Sequence, residues 1–165
     1  MVLSHKEVNL TDYKEIISKY NNLPGGIIEA YHDLIDQFGY LPKDALIDAA
    51  TLFGISVAEA YGIATFYSMF TLEPRGKNII RVCQSAPCYV AGSVDMVAVL
   101  KDELGIKIGE TTSNNLFTLE HTECVGQCQA TPVFTINGKP YAGLKPDEIA
   151  GVLTEYGHTR QKRRP

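Results

Sequence analysis

The spacing of apolar positions changes character once along this chain, near residues 71–78. Upstream it is helical. In PGGIIEAYHDLIDQFG, Ile27, Ile28, Tyr31, Leu34, Ile35 and Phe38 fall on one helical face, and Gly39 supplies a C-terminal stop. LPKDALIDAATLFG begins with Pro42 in a first-turn position and ends at Gly54. SVAEAYGIATFYSMF opens on Ser56 with Glu59 three residues later, the spacing of a capping box. This stretch is apolar almost all round, which predicts the buried helix of a small bundle. TLEPRGKN, residues 71–78, breaks the pattern and reads as a linker.

Downstream, NIIRVC predicts a buried strand ending at Cys83, SVDMVAVLKDELG a helix, and LFTLEHTEC a strand that again ends at a cysteine. PVFTINGKPYAG predicts a hairpin turning at Asn137-Gly138. KPDEIAGVLTEYG predicts a closing helix, with Pro146 near its start and Gly157 at its end. The order is β-α-β followed by β-β-α: a right-handed crossover between parallel strands, then an antiparallel hairpin and a covering helix. That is the order of a thioredoxin-like fold. The expected class is α+β, with a helical bundle over residues 1–72 and a thioredoxin-like α/β domain over 73–157. A basic tail, 158–165, is expected to be disordered.

All four cysteines lie in two short loops. RVCQSAPCYVAG places four residues between Cys83 and Cys88, HTECVGQCQATP places three between Cys124 and Cys128, and 35 residues separate the pairs. On the predicted layout both loops follow the C-terminal ends of parallel strands, the edge of an α/β sheet where ligands commonly sit. A thioredoxin-type dithiol wants two intervening residues, which neither pair has. Zinc sites also favour a gap of two, although gaps of three and four occur. A [2Fe–2S] cluster takes two thiolates on each iron, and a four-residue gap recurs in plant-type ferredoxins. Gly92 and Gly126 leave backbone free to approach the sulfurs and point N–H groups at a site whose oxidised charge would be −2. Buried structural thiols would scatter among core positions instead of clustering in loops. The spacing favours the iron–sulfur reading, with zinc and structural thiols as alternatives. His121 reads as a strand residue and not as a ligand.

Composition narrows the setting. The chain has 165 residues, 45% hydrophobic and 21% charged, ordinary for a packed domain or two small ones. Its formal charge is −4, but four of the fifteen basic residues lie in the final RQKRRP. The remainder carries eleven basic and nineteen acidic side chains, or −8, which argues against a nucleic-acid partner. No segment has the apolar length of a signal peptide or a membrane span, so a cytoplasmic protein with reduced thiols and no membrane insertion is expected.

RVCQSAPCYVAGS followed by IGETTSNNLFTLEHTECVGQCQATPVFTING resembles the thioredoxin-like [2Fe–2S] ferredoxin family, which includes a small iron–sulfur protein of NADH-quinone oxidoreductase. FGISVAEAYGIATFYSMF extends the resemblance, which runs from about residue 10 to 157. The family often has Ala-Pro shortly after its last cysteine, where this chain has Thr131-Pro132. The basic tail is outside the pattern, and neither departure touches a ligand position. The resemblance implies that Cys83, Cys88, Cys124 and Cys128 bind one [2Fe–2S] cluster and that the chain has no catalytic residues of its own. It further implies an electron-transfer subunit of an NAD(H)-dependent oxidoreductase complex, beside further iron–sulfur subunits and a flavoprotein that holds FMN and NAD(H). The chain itself shows no Gly-rich dinucleotide fingerprint or P-loop. Its short length favours a soluble complex of the hydrogenase or formate dehydrogenase type, including electron-bifurcating ones, over quinone reductase.

A rival reading is a helix-turn-helix redox regulator with a four-cysteine metal site, because LPKDALIDAATLFGISVAEAYGIATFY has the helix–GIS–helix rhythm. Against it, Val57 to Phe70 contains no Lys, Arg, Asn or Gln to reach a base edge. The aromatic run there suits a bundle core or a partner-facing surface.

Overall fold

The computed structural model describes residues 10–159, which fall into two compact units dividing at Pro74 and Arg75. The first is helical: α1 (Leu10–Ser18), α2 (Gly26–Phe38), α3 (Lys43–Phe53) and α4 (Val57–Phe66). Its core joins Tyr13, Ile16 and Ile17 of α1 to Ile27, Ala30, Tyr31 and Leu34 of α2 and to small residues of α3. Gly39 and Gly54 close α2 and α3 in the left-handed region, at φ 82 and 67, where a residue with a Cβ would be strained. Tyr31 is fully buried and donates its hydroxyl to Ala60 O at 3.0 Å, which contributes about 1 kcal/mol. Burial pushes its pKa well above the ordinary tyrosine value.

Helix α4 departs from expectation. It stops at Phe66 and does not run on towards Phe70, and it buries only Ala60 and Ala64. Small side chains let its backbone approach Tyr31, which turns the large ones outward. Val57 and Tyr61 are about half exposed and Phe66 is 80% exposed, and Met69, just past the helix, is also about half exposed. An all-apolar helix was expected inside, but contact through alanines needs only one narrow face. Of the anticipated capping box, the Ser56 half is present, its Oγ accepting from Glu59 N at 3.1 Å. Helices α3 and α4 meet at 118°, within the helix-turn-helix range. The exposed side of α4 nevertheless carries no Lys, Arg, Asn or Gln, so the geometry lacks the base-reading chemistry. Among the described residues no single helix is long and apolar enough to cross a membrane.

The second unit holds β1 (Asn78–Cys83), α5 (Ala86–Val90), α6 (Ser93–Leu104), β2 (Phe117–Thr122), β3 (Val133–Ile136), β4 (Lys139–Ala142) and α7 (Pro146–Glu155). The sheet order is β2-β1-β3-β4, with β1 and β2 parallel and the other pairs antiparallel. Strand alternation sends Ile80, Val82, Phe117, Leu119, Phe134 and Ile136 to one face, where Met96 and Leu100 of α6 and Ile149 and Leu153 of α7 cover them. Asn137 and Gly138 take φ 51 and 82, the paired positive values of the expected two-residue hairpin. Gly76 sets the start of β1 against β2: its N–H donates to Thr118 Oγ1 at 2.6 Å, and a Cβ there would lie 2.8 Å from Phe117 backbone. Only glycine fits.

His158, at the head of the expected tail, is packed. Its N–H bonds to Leu153 O and its ring sits edge-on to Phe117. Residues 160–165, the basic part of the tail, lie outside the described residues.

Candidate metal centre

Cys83 is the last residue of β1, and its register partner on the parallel neighbour is Thr122, the last residue of β2. The chain leaves both strands at the same edge, which brings the second cysteine loop beside the first although 35 residues intervene. The expected strand to Cys124 is shorter than anticipated. It ends at Thr122, and Cys124 lies two residues beyond, in the loop. Cys88 is not in a loop either. It sits on the one-and-a-half-turn helix α5, whose start is marked by Pro87 in a first-turn position. The Ser-Ala-Pro run before Cys88 carried that signal in the sequence.

The four thiols are free, and they divide by environment. Cys83 and Cys88 are buried and pack with Val133 and Ala142. Cys124 and Cys128 are exposed, their sulfurs 3.4 Å apart. Gly126, at φ 78, turns its N–H onto Cys124 Sγ at 3.4 Å, as expected of a glycine at this position. Gly92 does not act in this way: its N–H bonds to Tyr89 O, and the residue caps α6. Both glycines take positive φ, 99 at Gly92 and 78 at Gly126, so the sequence could not separate the two uses.

Electrostatics tie the pairs together. Burial pushes the Cys83 thiol up, but the Ser85 N–H, the Cys88 thiol, the Ser85 hydroxyl and the Val125 N–H outweigh it and leave the pKa lowered. The Val125 contribution comes from the second loop, so the loops meet at Cys83. Cys88 is pushed up, by burial first and then by its bond to Cys83, with the Val133 N–H opposing. Cys128 is raised by its contact with Cys124 and by nearby thiolate charge, Cys83 included. Cys83, Cys88 and Cys128 thus act on one another, and Cys124 lies against Cys128; thiols gathered in this way are a donor set for a positive centre.

Among the described residues, no three His, Cys, Asp or Glu side chains converge on a point where one ion would sit. The donors are two pairs. That chemistry fits a group that takes two thiolates at each of two metal atoms, surrounded by backbone N–H groups that offset its negative charge. His121 stands apart: strand alternation puts it on the face of Phe117 and Leu119, opposite Cys83 and Thr122.

The sequence profile of the thioredoxin-like [2Fe-2S] ferredoxins matches residues 13–157. The chain belongs to this family. Among similar ferredoxin-family proteins, the E subunit of NADH-quinone oxidoreductase from Rickettsia bellii is 37% identical over 155 residues, covering 91% of this chain and 92% of that protein. The NADP-reducing hydrogenase subunit HndA of Solidesulfovibrio fructosivorans is 32% identical over 147 residues, covering 87% and 86%. In structure, an NAD+-reducing [NiFe]-hydrogenase chain superposes with a TM-score of 0.68 at 23% identity. The match covers 80% of this chain and 23% of the hydrogenase chain, and it speaks to the fold alone. The family's ferredoxin fold is therefore the one described above, a helical region followed by a thioredoxin-like sheet.

Charged residues that sequence reading passed over also lie near the centre. Arg81 and Glu120 interrupt otherwise apolar strands, NIIRVC and LFTLEHT, and such a charge in a buried strand is itself a signal.

Proposed function

We propose that this chain is the electron-transfer subunit of a multisubunit NAD(H)-linked oxidoreductase, with Cys83, Cys88, Cys124 and Cys128 holding one [2Fe–2S] cluster. The observation that carries this reading is the meeting of two cysteine pairs at the ends of adjacent parallel strands, in a chain that belongs to this family. Such a cluster supplies one-electron transfer. The residues present would bind it and direct the N–H groups of Ser85, Val125, Gly126 and Val133 at its sulfurs. The chain is not catalytic alone. NADH gives up electrons in pairs, so a flavin on a partner protein divides them into single steps. The partner is an FMN- and NADH-binding flavoprotein, accompanied by further iron–sulfur subunits.

Two exposed apolar surfaces support docking to such partners. Tyr89 and Val90 follow Cys88 on α5, Val94 opens α6 and Val125 follows Cys124, all exposed, and Tyr61, Phe66 and Met69 stand out from the helical unit. For the parent complex, a soluble hydrogenase or formate dehydrogenase type is slightly preferred over NADH-quinone oxidoreductase. The relatives named above include both hydrogenase and quinone-reductase subunits.

Anaerobically purified protein is expected to contain iron and acid-labile sulfide in equal amounts, about two of each per chain. Stoichiometric zinc without labile sulfide would overturn the cluster reading. NADH-dependent dye reduction by the pure chain would overturn the division of labour with a flavoprotein.

A further inference from the structure

The sheet face that carries Cys83 also carries charge. Arg81 precedes Cys83 by two residues on β1 and so shares its face, roughly 6.6 Å back along the strand. Glu120 lies opposite Arg81 on β2. Arg81 Nε donates to Glu120 Oε2 at 3.1 Å. Arg75 Nε lies 2.7 Å from Glu120 Oε1, at an angle too bent for a hydrogen bond. One carboxylate is thus held between two guanidinium groups, a cluster of net charge +1. These side chains are far from fully hydrated: Arg75 is 12% exposed, Glu120 20% and Arg81 36%. Arg81 also lines a cavity of about 420 Å³ together with Thr122, Val125 and Gln127, so it and the loop bearing Cys124 and Cys128 face a common space.

Stability is a weak reason for such an arrangement. Partly buried ion pairs contribute little that apolar side chains of similar volume would not. Reduction gives a stronger reason. A [2Fe–2S] centre with four thiolates carries −2 when oxidised, and one added electron makes it −3. Charge fixed on the neighbouring row of the sheet acts directly on that step.

We propose that the Arg75–Glu120–Arg81 cluster sets the reduction potential of the metal centre, the arginines favouring the reduced state and Glu120 opposing it. The proposal rests on the reading that the four cysteines hold a [2Fe–2S] cluster. One electron enters from the donor, and no bond in the protein forms or breaks. At an effective dielectric near 20 and a separation on the order of 10 Å, one unit of charge changes the one-electron equilibrium constant roughly tenfold.

The test is potentiometry on the full-length protein after its iron and labile sulfide have been quantified, with the paramagnetic signal of the reduced state as readout. Glu120→Gln raises the local charge to +2 and is expected to favour reduction about tenfold, or about 59 mV upward for one electron. Arg81→Gln lowers the charge to zero and is expected to shift the constant by a similar factor downward. Arg81→Lys keeps the charge and should stay within about twofold of wild type. The double variant Arg81→Gln/Glu120→Gln restores +1 and should return close to wild type. A structural role alone would move both single variants the same way, and that result, or no shift in Glu120→Gln, overturns the proposal. If one single variant loses its iron, the other decides against Arg81→Lys. Absence of iron and sulfide from the wild-type protein would defeat the cluster reading itself, an outcome distinct from a loaded protein whose potential does not move.

Discussion

In the first cysteine loop both sulfurs are buried, Cys83 at the end of β1 and Cys88 on α5, 1% and 3% exposed; in the second, Cys124 and Cys128 are both exposed, on a turn shaped by Gly126. The first pair sits in a small apolar cluster with Val133 and Ala142, so packing fixes it whether or not metal is bound. The second pair is carried by a loop and by the short 3-10 turn Cys128–Ala130, with no apolar cluster around its sulfurs among the described residues. One side of the centre is preformed and the other is adaptable, and metal binding should order the two sides to different extents.

The largest effect that tests this contrast is on the stability of metal-free protein. Cys83→Ser replaces a buried, packed sulfur with a smaller oxygen and is expected to cost about 1–2 kcal/mol, whereas Cys124→Ser should stay within about 0.5 kcal/mol. Urea unfolding of both variants measures the difference, and equal losses would erase the contrast. Both variants should lose the native iron signal.

Next in size is the effect of metal removal on local order. After chelation, amide exchange at residues 124–128 is expected to rise to the rate of an open loop, while residues 83–90 change by less than about tenfold. Exchange mass spectrometry reads both segments in one experiment. Loosening of both together would mean that the first loop is not preformed.

A smaller effect is expected from Gly126→Ala. Nothing lies within 4 Å of the added methyl, so the cost is conformational strain at φ 78, roughly 1–2 kcal/mol. The loop should then release iron to a chelator several-fold faster, with the first loop undisturbed. His121→Ala is the smallest. Because His121 points to the opposite sheet face from Cys83, stability should change by less than about 0.5 kcal/mol and the reduced-state spectrum should stay unchanged. A clear spectral change would reopen the ligand assignment.

Much of the fold was legible because it depends on local rules. The glycine stops at Gly39 and Gly54, the Asn137-Gly138 turn and the alternation in β1 are each dictated by a few neighbouring residues. Helix α4 was misread because its apolar run records composition and not contact. Which of its sides is buried depends on Tyr31, nearly thirty residues earlier, fitting against Ala60. Gly92 and Gly126 look alike in sequence for a related reason. Both adopt positive φ, and only the surroundings make one a helix cap and the other a donor to sulfur.

The cysteine spacing, the end of β1 at Cys83 and the order of the four strands follow from the sequence itself, since they need only short-range propensity and the rule that parallel strands share an exit edge. Tertiary structure alone decided that Cys83 and Cys88 are buried while Cys124 and Cys128 are not. It also placed Arg75 and Arg81 on either side of Glu120. Burial and ion pairing are sums over neighbours far apart in the chain, and no window of sequence contains those neighbours.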